Sequence, residues 1–178
     1  SVPNPTNSAF NFGTNESFTV EARFKTTVSH SGWLIRRGLV PYAGFGIAIS
    51  NDRVYAVIGN VDYHRPPDTL LIIISDRPYI DGQWHTASLV RDRSRGRLFL
   101  YVDGVQAAAP LVDNFPLPLY SSERLFMGRS PLDALPQYFS GSIDEIRVFR
   151  GARHPASANF PNIVVSPTQL NFGNVLVG

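Results

Sequence analysis

Apolar and polar residues alternate along much of the chain, which is the period expected of β-strands with one buried face. The segment FTVEARF at residues 18–24 places its apolar side chains on one face and Thr, Glu and Arg on the other. Similar short patterns recur between polar turns, and no segment keeps a helical period. The sequence therefore predicts an all-β protein, with about ten strands in a two-sheet antiparallel sandwich.

Several segments give more specific expectations. Residues 45–49 and 54–58 flank the polar turn Ser50–Arg53, and residues 84–91 and 98–102 flank Asp92–Gly96, so each pair predicts a hairpin. The apolar run at residues 70–75 predicts a strand buried on both faces. Residues 1–17 are polar and predict a lead-in loop. In residues 138–150 the apolar positions change parity, which predicts a bulge near Asp144–Glu145.

The tail of the chain has a different character from the rest. Residues 156–162 continue a linker that contains Pro and Ala, and residues 163–178 read IVVSPTQLNFGNVLVG, as a fresh strand pair with its own turn. We expect residues 1–155 to form the sandwich. Residues 156–178 are expected to be a linker and the truncated start of a following immunoglobulin-like domain.

Composition excludes several classes of function. The net charge is +2, which leaves no basic footprint for nucleic acid. There is no Cys, which excludes a disulfide scaffold and a thiol nucleophile. No apolar stretch approaches the length of a membrane-spanning helix, so we expect no membrane insertion.

Three motifs carry a family resemblance: DGQWH at residues 81–85, LFLYVDG at 98–104 and FSGSIDEIRVF at 139–149. In this order they resemble the laminin-G-like and pentraxin-like domains of the concanavalin A-like lectin/glucanase superfamily. The tail resembles the start of the Hydin-type immunoglobulin-like repeats. The resemblance implies a jelly roll that acts as a non-catalytic recognition module, binding carbohydrate or an extracellular protein. It also implies a larger secreted or cell-surface protein, of bacterial type, in which this module serves adhesion.

The same resemblance implies one calcium ion, held by Asp81 and the backbone carbonyl of Leu98. Calcium needs six to eight oxygen ligands, yet the end of the last strand, where the family places others, reads Phe149-Arg150. The alternative is that Asp81 only starts a turn and accepts a hydrogen bond from its own backbone.

Aromatic and Arg residues in two loop regions are the candidate ligand-binding residues. Loops on such scaffolds often carry function, and the planar guanidinium pairs with carboxylates. The first group comprises Trp33, Arg36 and Tyr42, and the second comprises Tyr63, His64 and Arg65.

Recognition has two alternatives. A structural spacer or adhesion-stalk domain would need no small ligand. A glycoside hydrolase needs two carboxylates on one face, about 5 Å apart for retaining chemistry, whereas the acidic doublet Asp144–Glu145 occupies adjacent strand positions that point to opposite faces. We therefore predict that the protein is not an enzyme. The alternating Arg residues at 91, 93, 95 and 97 predict a solvated hairpin tip, with an anion contact as the alternative.

Overall fold

The computed structural model describes residues 9–29, 32–38, 44–62, 65–121, 124–129, 138–155 and 170–176. None of these residues is helical, so they contain no helix that could cross a membrane. Their strands are β1 (Phe18–Lys25), β2 (Gly32–Arg37), β3 (Gly44–Ser50), β4 (Arg53–Asp62), β5 (Arg65–Pro78), β6 (His85–Asp92), β7 (Arg97–Val102), β8 (Val105–Gln106), β9 (Leu111–Val112), β10 (Leu125–Met127), β11 (Ser142–Arg150) and β12 (Leu170–Leu176).

The strands form two antiparallel sheets. One sheet has the order β12-β11-β1-β6-β7-β8, with β9 also paired to β7, and the other has the order β10-β2-β3-β4-β5. Apolar side chains from the inner faces of both sheets make one core, which includes Phe18 and Val20 of β1 and Phe45 and Ile47 of β3. The predicted all-β, two-sheet antiparallel jelly-roll sandwich is confirmed.

Both predicted hairpins are present. Asn51 and Asp52, between β3 and β4, have φ angles of 48° and 69°. Two consecutive residues with positive φ are typical of a type I′ turn, which matches the twist of the strands that it joins. β6 and β7 form the second hairpin, in which Asp92 pairs with Arg97.

The predicted bulge in the last long strand is also confirmed. Along the β1–β11 ladder, Ala22 pairs with Ile146 but Phe24 pairs with Ile143, so β11 has one residue more than β1 in this interval. The extra residue allows Ile143 and Ile146 to be buried on the same side, although three positions separate them.

The prediction that residues 70–75 are buried on both faces is wrong. They lie in β5, the edge strand of the five-stranded sheet, and only one side of β5 faces the core. Leu70, Ile72 and Ile74 point away from the core and are 39%, 37% and 46% exposed. A continuous apolar run does not reveal on which side of a sheet the core lies.

The expectation of a polar lead-in loop needs correction too. Phe10 and Phe12 are buried members of the core, and Phe12 pairs with Leu119 through an isolated bridge. The surrounding polar residues concealed these two positions. β12 pairs with β11 at the edge of the seven-stranded sheet. Residues 156–169 lie outside the described residues, and a separate domain at the C-terminus stays a prediction.

The sequence pattern predicts solvated Arg residues in the β6–β7 hairpin, and for Arg91 this prediction is wrong. Arg91 is fully buried, and its Nε donates to Asp113 Oδ2 at 2.7 Å. Arg93 Nη1 lies 3.0 Å from the same oxygen. Burial alone would raise the pKa of Asp113, but the hydrogen bonds from Arg91 and Arg93 outweigh it and hold that pKa below its ordinary value.

We expect Asp113→Asn to lower the free energy of unfolding by about 3–5 kcal/mol at neutral pH, because it leaves Arg91 buried without a countercharge. The lowered pKa means that Asp113 stabilises the fold above its unfolded pKa, near 3.9, and loses this contribution as the pH falls through the folded value. The difference between wild type and variant should therefore shrink in acid. Urea unfolding at neutral and acidic pH measures it. Asp76→Asn, at an exposed carboxylate, is the control, and an equal loss there would contradict the interpretation.

Candidate functional site

A bulge in β2 creates the most distinctive surface of the protein. Trp33 pairs with Ala48 of β3, whereas Ile35 pairs with Ile47, so β2 has one extra residue. Leu34 and Ile35 are consequently both buried in the core. Trp33 and Arg36 differ in parity along the chain, yet the bulge places both on the side of the sheet away from the core.

We call this side of the five-stranded sheet the outer face. Two rows of paired residues cross it, and they are Trp33–Ala48–Tyr55–Ile74 and Phe126–Arg36–Gly46–Val57–Ile72. Ala48, Val57 and Phe126 are buried although they lie outside the core cluster. Aromatic and aliphatic side chains thus cover the outer face, with the exposed residues of β5 along one edge.

Trp33 lies across the middle of the outer face because Gly46 leaves room for it. A Cβ added to Gly46 would stand only 2.6 Å from Cζ3 of the indole. The Arg36 guanidinium carbon lies 4.1 Å from the centroid of the Trp33 ring, a close cation–π contact. Tyr55 meets the indole edge-on, with ring centroids 6.1 Å apart. The three side chains form one packed group.

Burial shifts the pKa of two members of this group. Arg36 is only 3% exposed, and burial lowers its pKa to about 10, so it remains a cation at neutral pH. Burial also raises the pKa of the Tyr55 hydroxyl, which therefore stays neutral. The outer face carries a permanent positive charge beside two aromatic rings.

The opposite surface, on the seven-stranded sheet, has a different chemistry. Arg23 Nη1 donates to Asp144 Oδ2 at 2.5 Å, and Arg147 contacts both Glu21 and Glu145. Arg23 and Arg147 are thus paired with carboxylates, and each member of the acidic doublet has an Arg partner.

A smaller polar cluster lies at the rim. Asp81 Oδ1 accepts hydrogen bonds from the Gln83 backbone N–H, at 2.9 Å, and from His85 Nε2, at 3.0 Å. His85 Nδ1 bonds Asp103 Oδ2 at 2.7 Å. The hydrogen bond from Gln83 N–H, followed by that from His85, lowers the pKa of Asp81. Burial alone would lower the pKa of His85, but the two carboxylates outweigh it and raise that pKa.

The structure does not bring the two predicted calcium ligands together. Asp81 is linked through His85 to Asp103, which directly follows β7. Leu98 is buried and lies near the other end of β7, four positions before Val102. Four positions along a strand separate Leu98 from Val102, next to Asp103, by roughly 13 Å. Within the described ranges, no group of three or more His, Asp or Glu residues is arranged to hold a metal ion.

The structure places the predicted ligand-binding residues unevenly. Trp33 and Arg36 are in contact on the outer face. Tyr42, Tyr63 and His64 lie outside the described residues, and Arg65 begins β5, where only the backbone is described.

Sequence reasoning missed several other members of the outer face, among them Tyr55, Ile72, Ile74 and Phe126. A signal for Tyr55 existed in the alternation of β4, where Val54, Ala56 and Ile58 are core residues. The parity opposite to these three residues indicates the outer face.

Two antiparallel sheets packed face to face define the chain as a jelly-roll sandwich domain. The chain belongs to the concanavalin A-like lectin/glucanase superfamily, whose family model matches residues 3–159. No curated protein sequence matches it.

Solved structures share the fold at low identity. A proposed carbohydrate-binding protein from Bacteroides ovatus superposes with a TM-score of 0.65 and 19% identity over 88% of this chain and 42% of that one. The CBM40 module of the Ruminococcus gnavus IT-sialidase gives 0.64 and 19% over 83% and 85%. Domains LG4-5 of the mouse laminin α1 chain give 0.60 and 15% over 78% and 38%. The chain thus spans less than half of the Bacteroides ovatus protein.

Gly46→Ala should displace the Trp33 indole, because the new Cβ would overlap the ring. We expect a loss of about 1–3 kcal/mol in the free energy of unfolding and a changed Trp33 emission spectrum, recorded in a Trp84→Phe background. Gly13→Ala is the control, since its Cβ would meet only the Glu16 side chain, at 3.4 Å. An unchanged spectrum in Gly46→Ala would show that the indole does not lie over this glycine.

Proposed function

We propose that this domain is a non-catalytic recognition module that binds carbohydrate on the outer face of the five-stranded sheet. The observation that carries the proposal is the grouping of Trp33 and Tyr55 with the exposed β5 residues Ile72 and Ile74. A contiguous patch of exposed apolar surface often marks an interaction site. Flat aromatic rings beside a fixed cation suit a sugar, which offers both apolar ring faces and polar groups.

The arrangement of acidic residues supports a non-catalytic role. Asp144 and Glu145 are each bonded to an Arg on the seven-stranded sheet. A retaining hydrolase needs one carboxyl group protonated and the other free to attack, about 5 Å apart across a cleft. Carboxylates neutralised by Arg fit a structural role better.

The proposal extends to the setting of the domain. A recognition module of this fold suits a larger secreted or cell-surface protein, and the resemblance of the tail to Hydin-type repeats supports a following immunoglobulin-like domain in the same chain. An extracellular protein is the second candidate partner, because the aliphatic row on β5 would suit a protein surface as well as a sugar. A spacer without a ligand is the remaining alternative.

We expect Trp33→Ala to weaken glycan binding about tenfold or more, the usual cost of truncating a central aromatic contact. A glycan array with the intact chain identifies a ligand, and isothermal titration calorimetry measures its affinity. The matched control is Trp84→Ala, which removes the other Trp of the chain, a ring that contacts Arg23 and Lys25.

Equal losses in the two variants would contradict the assignment to the outer face. A wild-type chain that binds nothing on the array would reject carbohydrate recognition, and would leave the protein-partner and spacer functions.

The calcium ion implied by the family resemblance is proposed at Asp81. Its support is that the hydrogen bonds from Gln83 and His85 both use Oδ1, so that Oδ2 could bind a cation. A ligand that binds only the folded state raises the midpoint of thermal unfolding. The prediction is that calcium raises this midpoint relative to EDTA and that Asp81→Asn abolishes the rise. An identical midpoint in calcium and EDTA would argue that Asp81 serves only its turn and His85.

A further inference from the structure

Arg36 has fewer partners than its burial requires. Its Nε donates to the Gly38 carbonyl at 3.2 Å, but its buried Nη1 has no hydrogen-bond partner among the described residues. Among the residues that the structure describes, no carboxylate lies within salt-bridge distance of the guanidinium. A buried cation without a countercharge is costly unless hydrogen bonds compensate it.

Two other buried Arg residues show how this fold normally meets that requirement. Arg37 donates from Nη1 to the Phe10 carbonyl at 2.6 Å, and from Nη2 to Asn11 Oδ1 at 2.6 Å. Arg91 pairs with Asp113. Each leaves one nitrogen without a partner, but each has at least two other acceptors or a carboxylate. Arg36 has neither, so its incomplete set of partners is not the general pattern.

A second cation stands on the same face. Arg129 lies over the Phe126 ring, with its guanidinium carbon 5.2 Å from the centroid. Phe126 is the direct neighbour of Arg36 across the β10–β2 ladder. Arg129 Nε is also buried without a hydrogen-bond partner, and no salt bridge within the described part of the chain involves it. Two guanidinium groups therefore flank the aromatic surface, and the described residues supply no anion for them.

We propose that the outer face recognises an acidic sugar, with Arg36 and Arg129 donating to its carboxylate while Trp33 and Tyr55 pack against its ring. This inference rests on the proposed function and adds the chemical class of the ligand. The planar fork of a guanidinium matches a carboxylate in two parallel hydrogen bonds. Because Nη1 is buried, a carboxylate reaches it only after a side-chain movement on this face. Trp33, whose ring lies 4.1 Å from the guanidinium carbon, is partly exposed.

The test compares sugars that differ only in acidity. The probes are 3′-sialyllactose against its methyl ester, and an oligogalacturonate against its methyl ester, measured by isothermal titration calorimetry with the full chain. We expect wild type to prefer the acidic member of at least one pair, and the preference to fall as ionic strength rises. The two pairs distinguish a sialic acid from a uronic acid as the source of the carboxylate.

The variants Arg36→Gln and Arg129→Gln should each weaken binding of the preferred acidic sugar about tenfold or more, because each removes a charged hydrogen-bond donor. Arg36→Lys should restore little, since an ammonium lacks the planar fork. Arg97→Gln, which removes an exposed charge from β7, is the matched control and should bind as wild type does.

Stability provides an independent readout. Arg36→Gln should keep or raise the midpoint of thermal unfolding, because it removes an uncompensated buried charge, whereas Arg37→Gln should lower it. A clear loss of stability in Arg36→Gln would assign Arg36 to the fold and overturn the inference.

The failures of the two proposals are distinguishable. Equal affinity for acidic and neutral sugars, unaffected by Arg36→Gln but lost in Trp33→Ala, would overturn the acidic-sugar inference and retain carbohydrate binding. No binding of either class would overturn both proposals.

Discussion

Phe12, Phe18 and Phe45 join three separate parts of the chain and hold the two sheets together. Phe12 stacks on Phe18 of β1 with ring centroids 4.4 Å apart, and Phe45 of β3 packs against both, at 5.8 and 5.4 Å. The three rings are almost completely buried, so they contribute large apolar areas at the point where the sheets face each other. Because the inner side of each sheet is buried in this core, a ligand can bind only on the solvent-facing sides of the sheets, at the rim or on the loops.

The solvent-facing sides of the two sheets differ in how their charges are compensated. On the seven-stranded sheet, Arg23 and Arg147 have carboxylate partners, and such partly exposed pairs contribute little to stability but leave no charge unmet. On the five-stranded sheet, Arg36 is buried beside Trp33 without a carboxylate among the described residues. A buried cation without a carboxylate costs stability, and this cost is what the binding of an acidic ligand would offset.

Much of the fold was predictable from the sequence because alternation and turns are local signals. The hairpin at Asn51–Asp52 and the bulge at Asp144–Glu145 required only residues close in the chain. The partner of Arg91 is Asp113, 22 positions away, and no local pattern connects them. The same limitation explains the error at residues 70–75, since the sequence reveals that they are apolar but not that β5 is an edge strand.

The candidate site was half predictable for a related reason. Trp33 and Arg36 are close in sequence, which makes them joint candidates, but in a regular strand their odd separation would place them on opposite faces. The bulge between Trp33 and Ile35 brings them to the same side, and it also allows Leu34 and Ile35 both to be buried in the core. Core packing therefore sets the geometry of the outer face. A change at Leu34 or Ile35 that removed the need for the bulge would separate the cation from the ring without touching either.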